Sequence, residues 1–253
     1  MIFLNLNSIY NIDCIDFMND NDFEANVILT SPPYNTSRKS KKDMYVGRYD
    51  EYVDTLSDSD YIDWTLKLFN SFDKVLSKNG VILYNLSYSS ENPSLIYILL
   101  GRLLESSNFM VADTIVWKKR NAIPNNRSSN KLTRICEFVF VFCRKSEFKS
   151  FQCNKKVLSV IERTGQKNYE NIYNYIESAN NDGSCSLNKA TFSSDFCKQL
   201  LSIYALEDSI VFDPFMGTGT TAKACSDLNF KWLGTELSLA QINYAYDRLS
   251  SNN

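Results

Sequence analysis

The stretch Ile210-Val211-Phe212-Asp213-Pro214-Phe215-Met216-Gly217-Thr218-Gly219-Thr220-Thr221 runs from a short β-branched, apolar segment into a glycine turn and then into residues that can start a helix. Gly217 and Gly219 permit backbone geometries and close approaches that a Cβ would block, and Thr220 or Thr221 can cap the following helix. Strand, glycine turn and helix start together make a cradle for a cofactor at the carboxyl edge of an open α/β sheet. The dinucleotide fingerprint is met only in relaxed form, with Ala222 at the third glycine position, and no Gly-Lys-Ser/Thr follows to make a phosphate loop. The next apolar run, Trp232 to Thr235, leads into Glu236, where an acid is placed to hold ribose hydroxyls.

Working outward, the same alternation covers the chain. Apolar runs at Ile9 to Ile12, Val27 to Thr30, Val81 to Asn85, Asp113 to Lys118, Glu137 to Phe142, Ile210 to Asp213 and Trp232 to Thr235 read as strands. Segments of helical period lie at Tyr61 to Leu76, Ser94 to Leu104, Ser194 to Tyr204, Thr221 to Leu228 and Leu239 to Leu249, with Lys78-Asn79-Gly80 as a helix stop. The expected fold is α/β: a doubly wound, seven-stranded, mostly parallel sheet in a single domain over residues 1–253. Two polar stretches break the rhythm, residues 35–60 and about 121–186 apart from the Glu137 strand. Irregular length on a rigid frame suits binding loops.

A second proline-bearing turn, Thr30-Ser31-Pro32-Pro33-Tyr34-Asn35, follows the Val27 strand. Adjacent prolines cannot continue a ladder, so the chain leaves the sheet there and presents rigid carbonyl acceptors beside a hydroxyl and a phenol. A stiff turn with no further role is the competing reading of this tetrapeptide alone.

Composition narrows the chemistry. The 253 residues include no histidine, eight glycines and five prolines, which excludes Ser-His-Asp and Cys-His nucleophile systems and His-containing zinc sites. The seven cysteines show no two-residue spacing of a zinc knuckle or redox pair, no metal site is expected, and reduced thiols in the cytoplasm are the expectation. No run approaches a membrane span, and the amino terminus lacks a signal-peptide pattern. The net charge of −2 hides a basic segment: Ile115 to Glu170 holds 13 Lys and Arg against 4 Asp and Glu. Arg38, Lys39, Lys41, Lys42 and Arg48 form a second basic cluster, and together they suggest a polyanion-binding face.

The order Ser31-Pro32-Pro33-Tyr34, then much later Asp213 to Thr220, resembles the amino-methylating DNA methyltransferases of the β arrangement, in which the catalytic motif precedes the cofactor motif. Ile9 to Cys14, Ala112 to Lys119, Glu137 to Lys145 and Trp232 to Glu236 resemble further strands of that family. One stretch departs: family members often carry His-Pro and a further Pro where this chain has Asn188-Lys189-Ala190-Thr191-Phe192-Ser193.

The resemblance implies S-adenosyl-L-methionine as cofactor, bound by Asp13, Cys14, Thr30, Phe192, Asp213, Pro214, Phe215, Met216, Gly217, Thr218, Gly219, Thr220, Glu236 and Leu237. It implies double-stranded DNA as partner and a flipped base as substrate. Ser31 and the Pro32 carbonyl would accept the two N–H bonds of an exocyclic amine, with Pro33 stiffening the turn and Tyr34 stacking on the base. Serine in the first motif position resembles the cytosine-N4 enzymes, and adenine-N6 methylation is the alternative. A carbon-5 mechanism is excluded, since no cysteine adjoins the Pro-Pro motif. Residues 121–186 are the expected target-recognition region and residues 35–60 a mobile DNA-contacting loop. Arg38, Lys39, Lys41, Lys42, Lys118, Lys119, Arg120, Arg127 and Arg134 are the expected DNA contacts. The family suggests a restriction–modification role with a cognate endonuclease, and monomer and homodimer both stay open. Methylation of RNA or a protein amide, and a catalytically silent binding module, are the competing functions.

Overall fold

The computed structural model describes residues 4–35, 56–88, 92–122, 124, 128–183 and 191–250. Among them, eight strands form one sheet: β1 (Ser8–Tyr10), β2 (Ala25–Thr30), β3 (Leu76–Leu86), β4 (Phe109–Lys119), β5 (Cys136–Arg144), β8 (Tyr175–Ser178), β9 (Ile210–Asp213) and β10 (Lys231–Thr235). Their spatial order is β1-β10-β9-β2-β3-β5-β4-β8. Only β5 runs antiparallel to its neighbours, so the sheet is mostly parallel as expected. The expected seven strands become eight because Tyr175–Ser178, inside the stretch read as irregular, pairs in parallel with Val116 to Lys119. Four residues with mixed burial carry little periodic signal, and strand pairing supplies the order that the local sequence does not.

That same stretch also forms a separate antiparallel hairpin, β6 (Val157–Ile161) with β7 (Gln166–Tyr169). The α-helices are α1 (Cys14–Asp20), α2 (Asp58–Val75), α3 (Leu95–Ser106), α4 (Ser194–Tyr204), α5 (Thr220–Asp227) and α6 (Leu239–Ser250) among the described residues. Residues 58–60, read as part of a loop, are the first turn of α2: the Ser57 hydroxyl accepts from the Asp60 N–H at 3.1 Å, and Asp58 and Asp60 face the positive end of the helix.

Lys78-Asn79-Gly80 does not stop that helix. The helix ends at Val75, and the tripeptide is a bulge inside β3, between the pairings Ala25↔Leu76 and Val27↔Val81. Asn79 takes φ 61°, and a Cβ on Gly80 would sit 2.9 Å from the Asn26 carbonyl oxygen.

Side chains alternate across the central strands, which gives the sheet two apolar faces. Val27, Leu29, Val81, Leu83, Val139 and Val141 pack with α4 and α5, while Ile28, Ile82, Tyr84 and Phe142 pack with α1, α2 and α3. Both faces are therefore covered, as parallel strands require. β2 pairs with β9 through Val27↔Val211 and Ile28↔Phe212. The strand following β2 lies on one side of this pair and the strand following β9 on the other, so the strand order reverses there. Crevices at such reversals, beyond the carboxyl ends of the strands, are where open α/β sheets hold ligands.

Candidate active site

Both proline-bearing turns leave the sheet at that reversal. Thr30, the last residue of β2, donates its hydroxyl to Asp213 Oδ1 at 2.9 Å, a bond between residues 183 positions apart in the chain. Asp213 is 1% exposed and also accepts from the Phe215 N–H at 3.0 Å and the Thr221 hydroxyl at 2.5 Å. Burial outweighs these bonds and lifts its carboxyl from 3.8 to about 6. Asp213 therefore braces strand, turn and helix α5 together.

The glycine turn has the backbone that the sequence requires. Gly217 has φ 53° and Gly219 φ 79°, and a Cβ on Gly219 would stand 2.7 Å from that of Ala245. Neither threonine caps α5. Gly219 occupies the N-cap without a side-chain bond, the Thr221 hydroxyl goes to Asp213, and Thr220 Oγ1 accepts from Arg248 at 3.0 Å. Glu236 binds the turn directly, accepting from the Gly217 N–H at 2.8 Å and the Ser238 N–H at 2.9 Å.

These groups line one open cleft. Of the residues assigned to the cofactor from sequence, Asp13, Cys14, Phe192, Asp213, Pro214, Phe215, Met216, Gly217, Thr218, Thr220, Glu236 and Leu237 face it. Thr30 and Gly219 do not; the first braces Asp213 and the second packs against α6. Ser31 and Pro33 line the same cleft, so the two turns share a single cavity. Asp13 caps α1 with its Oδ1 accepting from the Ile15 N–H at 2.8 Å, a helix absent from the sequence reading. Burial keeps the Cys14 thiol protonated, far above the ordinary range for thiols.

The cleft also includes Trp64, Thr191, Ser238 and Gln241, which sequence reasoning missed. Trp64 comes from α2, stacked on Tyr61 at 5.9 Å and tilted against Phe215 at 5.8 Å. An aromatic residue at helical spacing reads as core, so only the tertiary arrangement reveals it.

The Ser31 turn is held from several sides. The Tyr61 hydroxyl donates to the Pro33 carbonyl at 2.8 Å, and Asn35 takes φ 50° with its side-chain amide donating to the Leu56 carbonyl at 2.9 Å. Ser31 Oγ lies 2.9 Å from the Tyr34 hydroxyl. Asn85 Nδ2 donates to that hydroxyl at 2.6 Å and to Glu137 Oε2 at 3.0 Å. Lys119 pairs with Glu137 Oε1 and lies 4.7 Å from the centre of the Trp117 ring.

Lys119, expected among the DNA contacts, is thus turned inward, with only 17% of its side chain exposed. Lys118 and Arg120 both reach Glu177 of β8, at 3.0 and 3.9 Å. Arg134 donates to the Tyr88 carbonyl and lies 5.1 Å from the Tyr88 ring centre. Arg38, Lys39, Lys41, Lys42 and Arg127 lie outside the described residues. No group of His, Cys, Asp and Glu among the described residues could hold a metal ion, and no described helix is long and apolar enough to cross a membrane.

Comparison with known proteins agrees with this layout. Type II methyltransferase M.BglII of Bacillus subtilis is 23% identical over 97% of this chain and 69% of its own length. M.BamHI of Bacillus amyloliquefaciens is 24% identical over 95% of the chain, which spans 56% of that relative. The solved structure of the cytosine-N4-specific PvuII DNA methyltransferase aligns with a TM-score of 0.71 at 18% identity, covering 97% of this chain and 87% of that one. The M1.HpyAVI–SAM complex aligns with a TM-score of 0.67 at 22% identity, over 95% and 98% of the two chains. The model of the N6/N4 methyltransferase family, described as DNA methylase, matches residues 25–247, and the chain belongs to that family.

Proposed function

We propose that this chain is a DNA methyltransferase that moves a methyl group from S-adenosyl-L-methionine to the N4 amine of a flipped cytosine, as the modification half of a type II restriction–modification pair. The observation that carries the reading is the shared cleft: Ser31 and Pro33 line the same cavity as Gly217, Thr218 and Glu236. A methyl acceptor on the first turn and a methyl donor on the second would meet there without rearrangement of the sheet.

The cleft suits the cofactor. Glu236, fixed by two backbone N–H groups, would hold the ribose hydroxyls, and Trp64, Phe192 and Phe215 supply apolar wall. The bound cofactor supplies an activated methyl group. Ser31 Oγ and the Pro32 carbonyl accept the two amine N–H bonds, which draws the nitrogen lone pair out of the ring and aims it. Among the described residues the Pro32 carbonyl has no hydrogen-bond donor, so it is available for that task. The half-buried Tyr34 ring stacks on the base.

Serine at position 31 and the cytosine-N4 specificity of the structurally similar PvuII enzyme favour cytosine over adenine. A carbon-5 mechanism is disfavoured because, among the described residues, the thiol lining the cleft is Cys14, which burial holds protonated. DNA contact falls to the region around residues 121–186, whose hairpin β6–β7 stands out with Leu158 70% exposed and Lys155, Lys156, Arg163 and Lys167 around it. A two-stranded ribbon fits the major groove.

The test is incubation of DNA with labelled S-adenosyl-L-methionine, digestion, and mass spectrometry of the nucleosides. N4-methylcytosine is expected from the wild type and none from Ser31→Ala. Label on adenine alone refutes the cytosine assignment, and label only on RNA or protein refutes the DNA reading.

A further inference from the structure

We propose that Glu137 is the terminal acceptor for the proton released by the target amine, reached from Ser31 through the Tyr34 hydroxyl. The inference rests on the methyl-transfer reading above and adds residues from β3, β4 and β5 to it.

The direction of the hydrogen-bond chain follows from what each group can do. A carboxylate only accepts, so the Asn85 amide must turn its Nδ2 toward Glu137 Oε2, 3.0 Å away. That same Nδ2 then donates to the Tyr34 oxygen at 2.6 Å. The Tyr34 hydrogen goes to Glu137 Oε2 at 3.3 Å. Tyr34 has only one hydrogen, so in the 2.9 Å contact with Ser31 the serine is the donor. Ser31 Oγ is left presenting lone pairs, which is the state an acceptor for an amine N–H requires.

Two further observations support a functional origin. The orientation imposed on Asn85 leaves its Oδ1 buried without a partner, although the residue is 1% exposed. An orphaned buried acceptor is costly, and here it accompanies an arrangement that fixes Tyr34 and Ser31. The Lys119 ammonium lies over the Trp117 ring and pairs with Oε1, which leaves Oε2 as the oxygen that faces Tyr34 and Asn85.

In turnover the amine nitrogen gains the methyl group and one N–H bond breaks, its electron pair staying on nitrogen. That proton joins Ser31 Oγ as the serine hydrogen passes to Tyr34 and the Tyr34 hydrogen passes to Glu137 Oε2. The products are a neutral methylated amine, a serine and a tyrosine restored to their starting states, and a neutral Glu137 that then releases its proton to solvent. No histidine or metal takes part in this transfer.

The test compares wild type, Glu137→Gln, Tyr34→Phe and the double variant by single-turnover methyl transfer, with calorimetric affinities for S-adenosyl-L-methionine and DNA measured on each. Glu137→Gln keeps the size of the side chain but cannot take the proton. The expected result is a fall in rate of about 10²-fold or more in each single variant. The double variant should be no slower than the slower single, and the wild-type solvent deuterium isotope effect should be reduced in Glu137→Gln. Cofactor affinity should stay within about twofold, a change of roughly 0.4 kcal/mol. Wild-type rate in Glu137→Gln, multiplying losses in the double variant, or an unchanged isotope effect overturns the relay while leaving the function standing. A wild type that puts no label on DNA overturns both.

Discussion

Asp213 is the group on which stability and the site most directly depend on pH. Burial raises its carboxyl from 3.8 to about 6, a shift of about two units, or roughly 3 kcal/mol in favour of the protonated form in the folded state. For an acid whose folded value is raised, the stabilisation is fully present below the unfolded value. It is lost as pH climbs through the folded one. The wild type should therefore lose about 3 kcal/mol from this residue between roughly pH 4 and pH 6 and stay at that lower level above it. Asp213→Asn removes the charge while keeping a carbonyl oxygen for the Phe215 N–H and the Thr30 hydroxyl and offering an N–H to Thr221.

The assay is urea denaturation of both proteins at several pH values from below 4 to 8. The difference between variant and wild type cancels every other titrating group. It should be near zero at the acid end and reach about 3 kcal/mol in favour of the variant above pH 6. At about 2 to 4 °C per kcal/mol for a chain of this size, the variant should melt on the order of 6 to 12 °C higher at pH 8. A difference that does not change with pH, or a wild type that is the more stable protein at pH 8, refutes the claim that Asp213 ionises against its surroundings.

Gly219→Ala places a methyl 2.7 Å from Ala245 Cβ at φ 79° and should both lower the melting temperature and weaken S-adenosyl-L-methionine binding by about tenfold or more, read by calorimetry. Gly101→Ala in α3, where a Cβ meets nothing within 4 Å, should be neutral or stabilising by up to about 1 kcal/mol. Arg163→Glu with Lys167→Glu on the exposed hairpin should weaken DNA binding. It should also flatten the log–log salt dependence by about 0.9 per lost phosphate contact, with cofactor affinity unchanged. Equal affinity and slope would remove the hairpin from the DNA interface.

What the sequence shows and what it conceals divide along physical lines. Ile210–Asp213 and Ser194–Tyr204 are read to the residue, because a buried β-branched run and an amphipathic period are properties of the segment itself. The two proline-bearing turns are legible because rigid φ and positive φ restrict residue choice. Four elements escape. Helix α1 is seven residues long, β8 is four, and β6 and β7 are exposed throughout, so none has a period to detect. Lys119 reads as one more cation in a basic segment. Its partner Glu137 lies on the neighbouring strand β5, and only the antiparallel register of the two strands brings the pair together.

The sheet order separates the two proline-bearing turns from the hairpin. β2 and β9 lie side by side at the reversal, and the Thr30–Asp213 bond spans them, so the distance between the two turns is set by backbone pairing. Glu137 and Lys119 come from β5 and β4, paired strands of the same sheet, so the acid end of the Ser31–Tyr34–Glu137 chain is fixed by the ladder. The hairpin belongs to neither ladder and pairs only with itself. Exchange of the hairpin for another ribbon would then alter DNA affinity while leaving the methyl-transfer step in the cleft intact. The same division is why Glu137→Gln should slow transfer with binding unchanged, and hairpin charge reversal should do the opposite.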